Sequence, residues 1–188
     1  MSEPIRLVIL GRQGSGKGTQ GVRLAEAYDI AHVSTGDMLR AATAAGTPMG
    51  LEAKVFMDRG DLLPDDVMQG VVAERLDQDD ASTNGFLLDG FPRTVGQAKA
   101  LADMAPLDLV IDLDVPREMV IERMAARGRV DDTPEAIARR LDLYDEQTRP
   151  LLDFYGDQGL LVTVDGVGTE DEVEGRLRAV IDAAHQPS

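Results

Sequence analysis

Gly11-Arg12-Gln13-Gly14-Ser15-Gly16-Lys17-Gly18-Thr19 is the stretch whose reading decides the fold. The apolar run Ile5–Leu10 precedes it. Residues 20–28 follow, with Val22, Ala25 and Tyr28 at helical spacing. A short apolar run closed by glycine predicts a strand buried on both faces, as in a parallel sheet. A strand, a glycine-rich turn and a helix in that order open a βαβ unit.

The turn carries the G-x-x-x-x-G-K pattern of a phosphate-binding loop. Its glycines allow backbone conformations that aim several N–H groups at one anion. The next helix contributes its positive N-terminal end, and Lys17 adds a mobile charge for the outer phosphates of a nucleoside triphosphate. Gly14, Ser15, Gly16, Lys17, Gly18 and Thr19 are therefore the candidate triphosphate cradle. The hydroxyl is displaced by one position, because Gly18 follows the lysine and Thr19 comes after it. Magnesium should then be held mainly by phosphates and water.

Further apolar segments at residues 31–34, 86–89, 109–113 and 160–164 predict strands. Helical patterns cover residues 66–76, 95–102, 117–126, 134–152 and 171–184. The alternation predicts an α/β doubly wound fold with about five parallel strands flanked by helices. One connection is too long for a simple crossover. Between Ser34 and Phe86 lie helical segments at 35–44, 51–59 and 66–76, punctuated by Gly46-Thr47-Pro48, Gly60 and Pro64-Asp65. The first two form an inserted helical pair.

Composition removes several chemistries. Among 188 residues there is no cysteine, and there are two histidines, His32 and His185. Disulfides, thiol nucleophiles, cysteine-held zinc and histidine triads are thereby disfavoured. The net charge of −15 argues against nucleic acid and anionic membranes as partners. No stretch reaches the ~20 apolar residues needed to span a bilayer, and the N-terminal apolar run is too short for a signal peptide. A cytoplasmic location is expected.

Three more stretches matter: Ser34-Thr-Gly-Asp-Met-Leu-Arg40, Leu88-Asp-Gly-Phe-Pro-Arg93-Thr94, and Arg123 through Arg140. Arg40 and Arg93 each follow a strand end, where ligands gather in open α/β sheets, and their planar forks suit phosphate oxygens. With the phosphate loop, these stretches make residues 7–173 resemble the adenylate kinase family.

The resemblance implies reversible transfer of a phosphoryl group from MgATP to AMP, giving two ADP. It implies Lys17, Arg93, Arg127, Arg129 and Arg140 as catalytic cations, and Arg123 and Arg127 as ATP contacts. Arg40, Arg93, Arg129 and Arg140 would meet the AMP side. Thr35 and Gln97 would contact its adenine, enclosed by backbone at Asp61, Leu62 and Leu63, beside the turn Gly90-Phe91-Pro92. Asp89 resembles the acidic residue that reaches magnesium through water. Asp131 and Asp132 would orient the arginines. Gly168, in the turn after the last strand, would offer backbone near the ATP adenine.

Few residues separate Arg127 from Pro134, which matches the family's short-lid form and needs no zinc. The resemblance thus divides the chain into a core (residues 1–33, 64–126 and 137–188), an AMP-binding insertion (34–63) and a short lid (127–136). A monomer is expected, since one chain can build both sites. Gln13 departs from the family's common proline. A UMP- or CMP-directed relative is the alternative, which Thr35 with Gln97 disfavours. A GTP switch would need an N-K-x-D element, and the single asparagine, Asn84, is followed by glycine.

Overall fold

The computed structural model describes residues 4–185. The outermost residues of the expected core, 1–3 and 186–188, lie outside that range. Five parallel strands, β1 (Ile5–Leu10), β2 (Ala31–Ser34), β3 (Gly85–Asp89), β4 (Leu109–Asp114) and β5 (Leu161–Asp165), form one sheet in the order β2-β3-β1-β4-β5. β1 lies at the centre, with Ile9 beside Asp89 of β3 and beside Ile111 of β4. Its residues alternate between two apolar layers. Val8 and Leu10 join Leu88, Val110 and Leu101 on one face, while Leu7 and Ile9 join Leu24, Ile111 and Leu177 on the other. Burial on both faces accounts for the unbroken apolar run.

The helices are α1 (Lys17–Tyr28), α2 (Thr35–Ala44), α3 (Pro48–Arg59), α4 (Asp65–Leu76), α5 (Asp79–Asn84), α6 (Val95–Met104), α7 (Arg117–Arg127), α8 (Pro134–Leu143), α9 (Pro150–Gly156) and α10 (Glu170–Ala184). α1 and α10 cover one face of the sheet, and α4, α6 and α9 the other. α2 and α3 form the inserted pair.

Local chemistry sets the boundaries. Ser34, Thr47, Thr94, Thr133 and Thr169 each accept a backbone N–H at the start of the following helix. α3 starts at Pro48, three residues before the start expected from its periodicity, because Thr47 caps it and Pro48 suits the first turn. α5 was not anticipated. It is short and polar, with Ala81 its one buried residue.

The single helix expected over 134–152 is divided. A π turn, Tyr144–Thr148, separates α8 from α9, and Arg149 N–H donates to the Tyr144 carbonyl at 2.7 Å, five residues back. Pro150 has no N–H for the Glu146 carbonyl and its ring would crowd that group. A widened turn accommodates both.

Candidate active site

All the cation-bearing turns meet at the C-terminal edge of the sheet, where open α/β folds place ligands. A cavity of about 250 Å³ lies there, between the phosphate loop, Arg40, Asp89, Arg93 and the Arg123–Arg140 region. A smaller one of about 50 Å³ adjoins it, bounded by Thr35, Leu39, Met57, Leu63, Met68 and Gln97. Arg40, Leu62, Gly90, Arg93 and Arg140 line both.

The phosphate loop is shaped for an anion. Gly14 has φ +80°, and a Cβ there would stand 2.9 Å from the Val120 carbonyl and from Met124 Cγ. Only glycine allows α7 to pack so closely. α1 begins at Lys17 with no side-chain cap and no acidic residue in its first turn. Its leading N–H groups are thus left for a ligand. Lys17 Nζ donates to the carbonyls of Gly11 (2.8 Å) and Arg12 (2.9 Å). Burial lowers its pKa to about 8, against the opposing pull of the Asp89 charge.

Arg93 is held from three directions. Its Nε donates to the Gly90 carbonyl at 2.7 Å, its backbone N–H to Gln97 Oε1 at 2.7 Å, and its carbonyl accepts from Thr148 Oγ1 at 2.7 Å. Gly90 has φ +89°, and a Cβ there would lie 2.5 Å from Thr35 Oγ1. Burial, offset in part by Asp89, pushes the Arg93 pKa down. Gln97 is also fixed at its other end, where Nε2 donates to Asp65 Oδ1 at 2.9 Å.

The cations between α7 and α8 are paired. Arg127 forks onto both oxygens of Asp132 at 2.9 Å each. Arg140 meets Asp132 at 2.9 Å, Asp131 at 2.5 Å and the Met57 carbonyl at 3.2 Å. Burial alone would raise the Asp132 pKa, but the two arginines outweigh it and hold the carboxyl below its usual range. Among the described residues Arg129 carries no carboxylate fork. Burial, then Arg40 and Arg127, lower its pKa.

A family model described as "Adenylate kinase" matches residues 9–160. The adenylate kinase of Stenotrophomonas maltophilia K279a is 52% identical, over 95% of this chain and the whole of that protein. The adenylate kinase of Xanthomonas oryzae pv. oryzae MAFF 311018 is 50% identical, over 94% of this chain and 99% of that protein. The chain belongs to the adenylate kinase family.

In this member of the adenylate kinase family, the residues singled out from the sequence fall into distinct places. Gly14, Gly16, Lys17, Gly18, Thr19, Asp89, Pro92, Arg123, Arg127 and Arg129 line the larger cavity. Thr35, Asp61, Leu63 and Gln97 line the smaller one. Three stand apart. Ser15 is buried beneath the loop, its carbonyl accepting from Arg123 at 3.3 Å. Phe91 packs its side chain into the core. Gly168 borders neither cavity and lies against Glu172 of α10.

The sequence reading missed Tyr144 and Thr148, which line the larger cavity, and Met57 and Met68, which wall the smaller one. It also missed Asp65, which fixes Gln97. Asp65 and Met68 had a local signal, since they sit in the first turn of a readable helix. Thr148 had none, because its contact spans 55 residues.

Proposed function

We propose that this protein transfers a phosphoryl group reversibly from MgATP to AMP, giving two ADP and so balancing the adenine nucleotide pool. The observation that carries this reading is the pair of adjoining cavities. One opens on the phosphate loop, the other on Thr35 and Gln97, and Arg40, Arg93 and Arg140 stand where they meet.

The nucleophile is an oxygen of the AMP phosphate, already anionic near neutral pH, so no general base is needed. The protein's task is to align two polyanions and offset their repulsion. The unpaired amides of the Gly14–Thr19 turn, with Lys17, Arg123 and Arg127, hold ATP. Arg40 and Arg93 grip the AMP phosphate. Thr35 and Gln97 face the acceptor base, with Leu62, Leu63, the Asp61 backbone and the Gly90-Phe91-Pro92 turn enclosing it. Arg129 and Arg140 neutralise charge on the group in flight.

Magnesium fits this donor set. Among the described residues no group of three or more His, Cys, Asp or Glu side chains could cage a metal. Asp89 is a buried carboxylate whose Oδ2 would lie 3.8 Å from a Cβ placed on Gly18. A magnesium ion would be held there chiefly by phosphate oxygens and water, with Asp89 reached through water, and would offset negative charge on the triphosphate.

Residues 34–63 act as the AMP-binding insertion and residues 127–136 as a short lid on the remaining core. Their closure excludes water, the competing acceptor. Both nucleotide sites sit in one chain, consistent with a cytoplasmic monomer. The chain is tested with MgATP against AMP, UMP, CMP and GMP in turn, with nucleoside diphosphates measured directly. AMP is the expected acceptor. Preference for UMP or CMP reassigns the acceptor site, and no diphosphate from any of the four overturns phosphoryl transfer.

A further inference from the structure

We propose that the π turn Tyr144–Thr148 is a positioning element for the transfer, setting the phosphate loop through Arg12 and the acceptor turn through Arg93. This rests on the ATP–AMP reading above. Arg12 is part of the phosphate loop, yet its side chain leaves the loop and runs between Val115, just before α7, and the π turn. Nη1 donates to the Val115 carbonyl at 3.3 Å and Nη2 to Asp145 Oδ1 at 3.4 Å. The guanidinium also stacks 5.4 Å from the centre of the Tyr144 ring. Asp145 is fixed in turn, its other oxygen accepting from Arg117 at 2.9 Å.

The strut matters because of what the Arg12 backbone does. Its carbonyl accepts from Ser15 N–H at 3.1 Å and from Lys17 Nζ at 2.9 Å. A rotation of that peptide moves the oxygen on which the key lysine rests. At the other end of the same turn, buried Thr148 donates to the Arg93 carbonyl. The five-residue turn thus touches the Arg12 side chain, whose own carbonyl holds Lys17, and the backbone of Arg93. Both contacts come from the widened turn itself, and π turns inside helices recur at functional sites.

The test uses the full chain with Asp145→Asn, Arg12→Gln, the double variant and Thr148→Val. ATP KM, AMP KM, kcat and melting temperature are read for each. Asp145→Asn and Arg12→Gln should each raise the ATP KM about three- to fivefold while the AMP KM moves less than about twofold. The double variant should be no worse than the worse single, because both remove one strut. Thr148→Val should raise the AMP KM and spare the ATP KM. A purely structural role would lower the melting temperature and shift both KM values together.

Equal shifts in both KM values, additive singles or an unchanged ATP KM would each overturn the proposal. Asp145→Asn keeps the side-chain shape, Arg12→Gln shortens the side chain but leaves it polar, and if Asp145→Asn fails to fold, Arg12→Gln decides alone. An unmutated chain that forms no ADP from ATP and AMP defeats the functional reading instead. An active chain with unaltered variants defeats only this inference.

Discussion

The site's cations rest in two different ways. Lys17 and Arg93, at the sheet edge, rest on backbone carbonyls, and neither forms an ion pair among the described residues. Arg127 and Arg140, between α7 and α8, rest on Asp131 and Asp132. A buried cation without a counter-ion is held at a cost that a polyanion can offset on binding. A cation forked on a buried carboxylate is already neutralised, and what it offers is a fixed direction. The sheet edge thus stores attraction for phosphate, whereas the Arg127–Arg140 region stores geometry.

The largest effect comes from removing an unpaired cation. Arg93→Ala should lower kcat/KM about 10³-fold, the scale of an arginine at a transferring phosphoryl group. Its melting temperature should fall by less than about 3 °C, because no carboxylate loses a partner. A coupled assay and thermal unfolding read the two quantities. A large stability loss with modest loss of activity would place Arg93 in the structural group and break the comparison.

Asp132→Asn attacks the other group. The side chain keeps its shape but can no longer neutralise Arg127 and Arg140, one of them nearly inaccessible. A stability loss of about 2 kcal/mol is expected, between the values for surface and buried pairs. Misaligned arginines should also lower kcat about 10²-fold. Denaturant titration and steady-state kinetics should show both effects in this one variant, unlike Arg93→Ala.

The legible and illegible parts of this molecule differ by the range of the contacts involved. Ile5–Leu10 and the glycines after it predict their own structure, because burial on two faces and an uncapped helix start are local properties. The strand order is not local, and neither is the direction of Phe91. Its motif position suggested the acceptor site, but its bulk is stabilised by burial in the core. The π turn escaped notice because apolar spacing through Leu141, Leu151 and Tyr155 resembles one helix. α5 lacks an apolar stripe altogether. The arginine site was visible because its residues sit in compact motifs. Thr148, which holds Arg93 from 55 residues away, carries no such signal.

A titration separates the two kinds of cation without a large change in chemistry. Lys17 has a folded-state pKa of about 8, below its ordinary 10.5. In free enzyme it loses its proton as pH rises through about 8, so kcat/KM for ATP should fall about tenfold per unit above that point. Bound phosphates favour the charged form, so kcat should hold to higher pH. The stability contribution has the opposite sign. Between about 8 and 10.5 the unfolded chain binds the extra proton, so this group makes folding more favourable as pH rises. In Lys17→Arg, whatever its activity, the decline near pH 8 should vanish, since a guanidinium stays charged there. A decline that persists in that variant would assign it to another group.

The smallest expected effect tests the boundary between the two groups. Arg139 and Arg140 are neighbours on α8, and both reach the inserted pair. Arg139 meets Asp61 at 2.8 Å in an exposed pair, while Arg140 meets the Met57 carbonyl from a buried position. Only the buried one has a fixed direction, so only it should shape the site. Asp61→Asn should change the AMP KM less than about twofold at low ionic strength, and the difference should disappear near 0.5 M salt, where exposed pairs are screened. Asp61 lines the smaller cavity, and the substitution preserves its shape and its backbone. A salt-resistant rise in AMP KM would mean that the exposed pair also orients the insertion, and Arg139 would then join Arg140 among the residues that fix geometry.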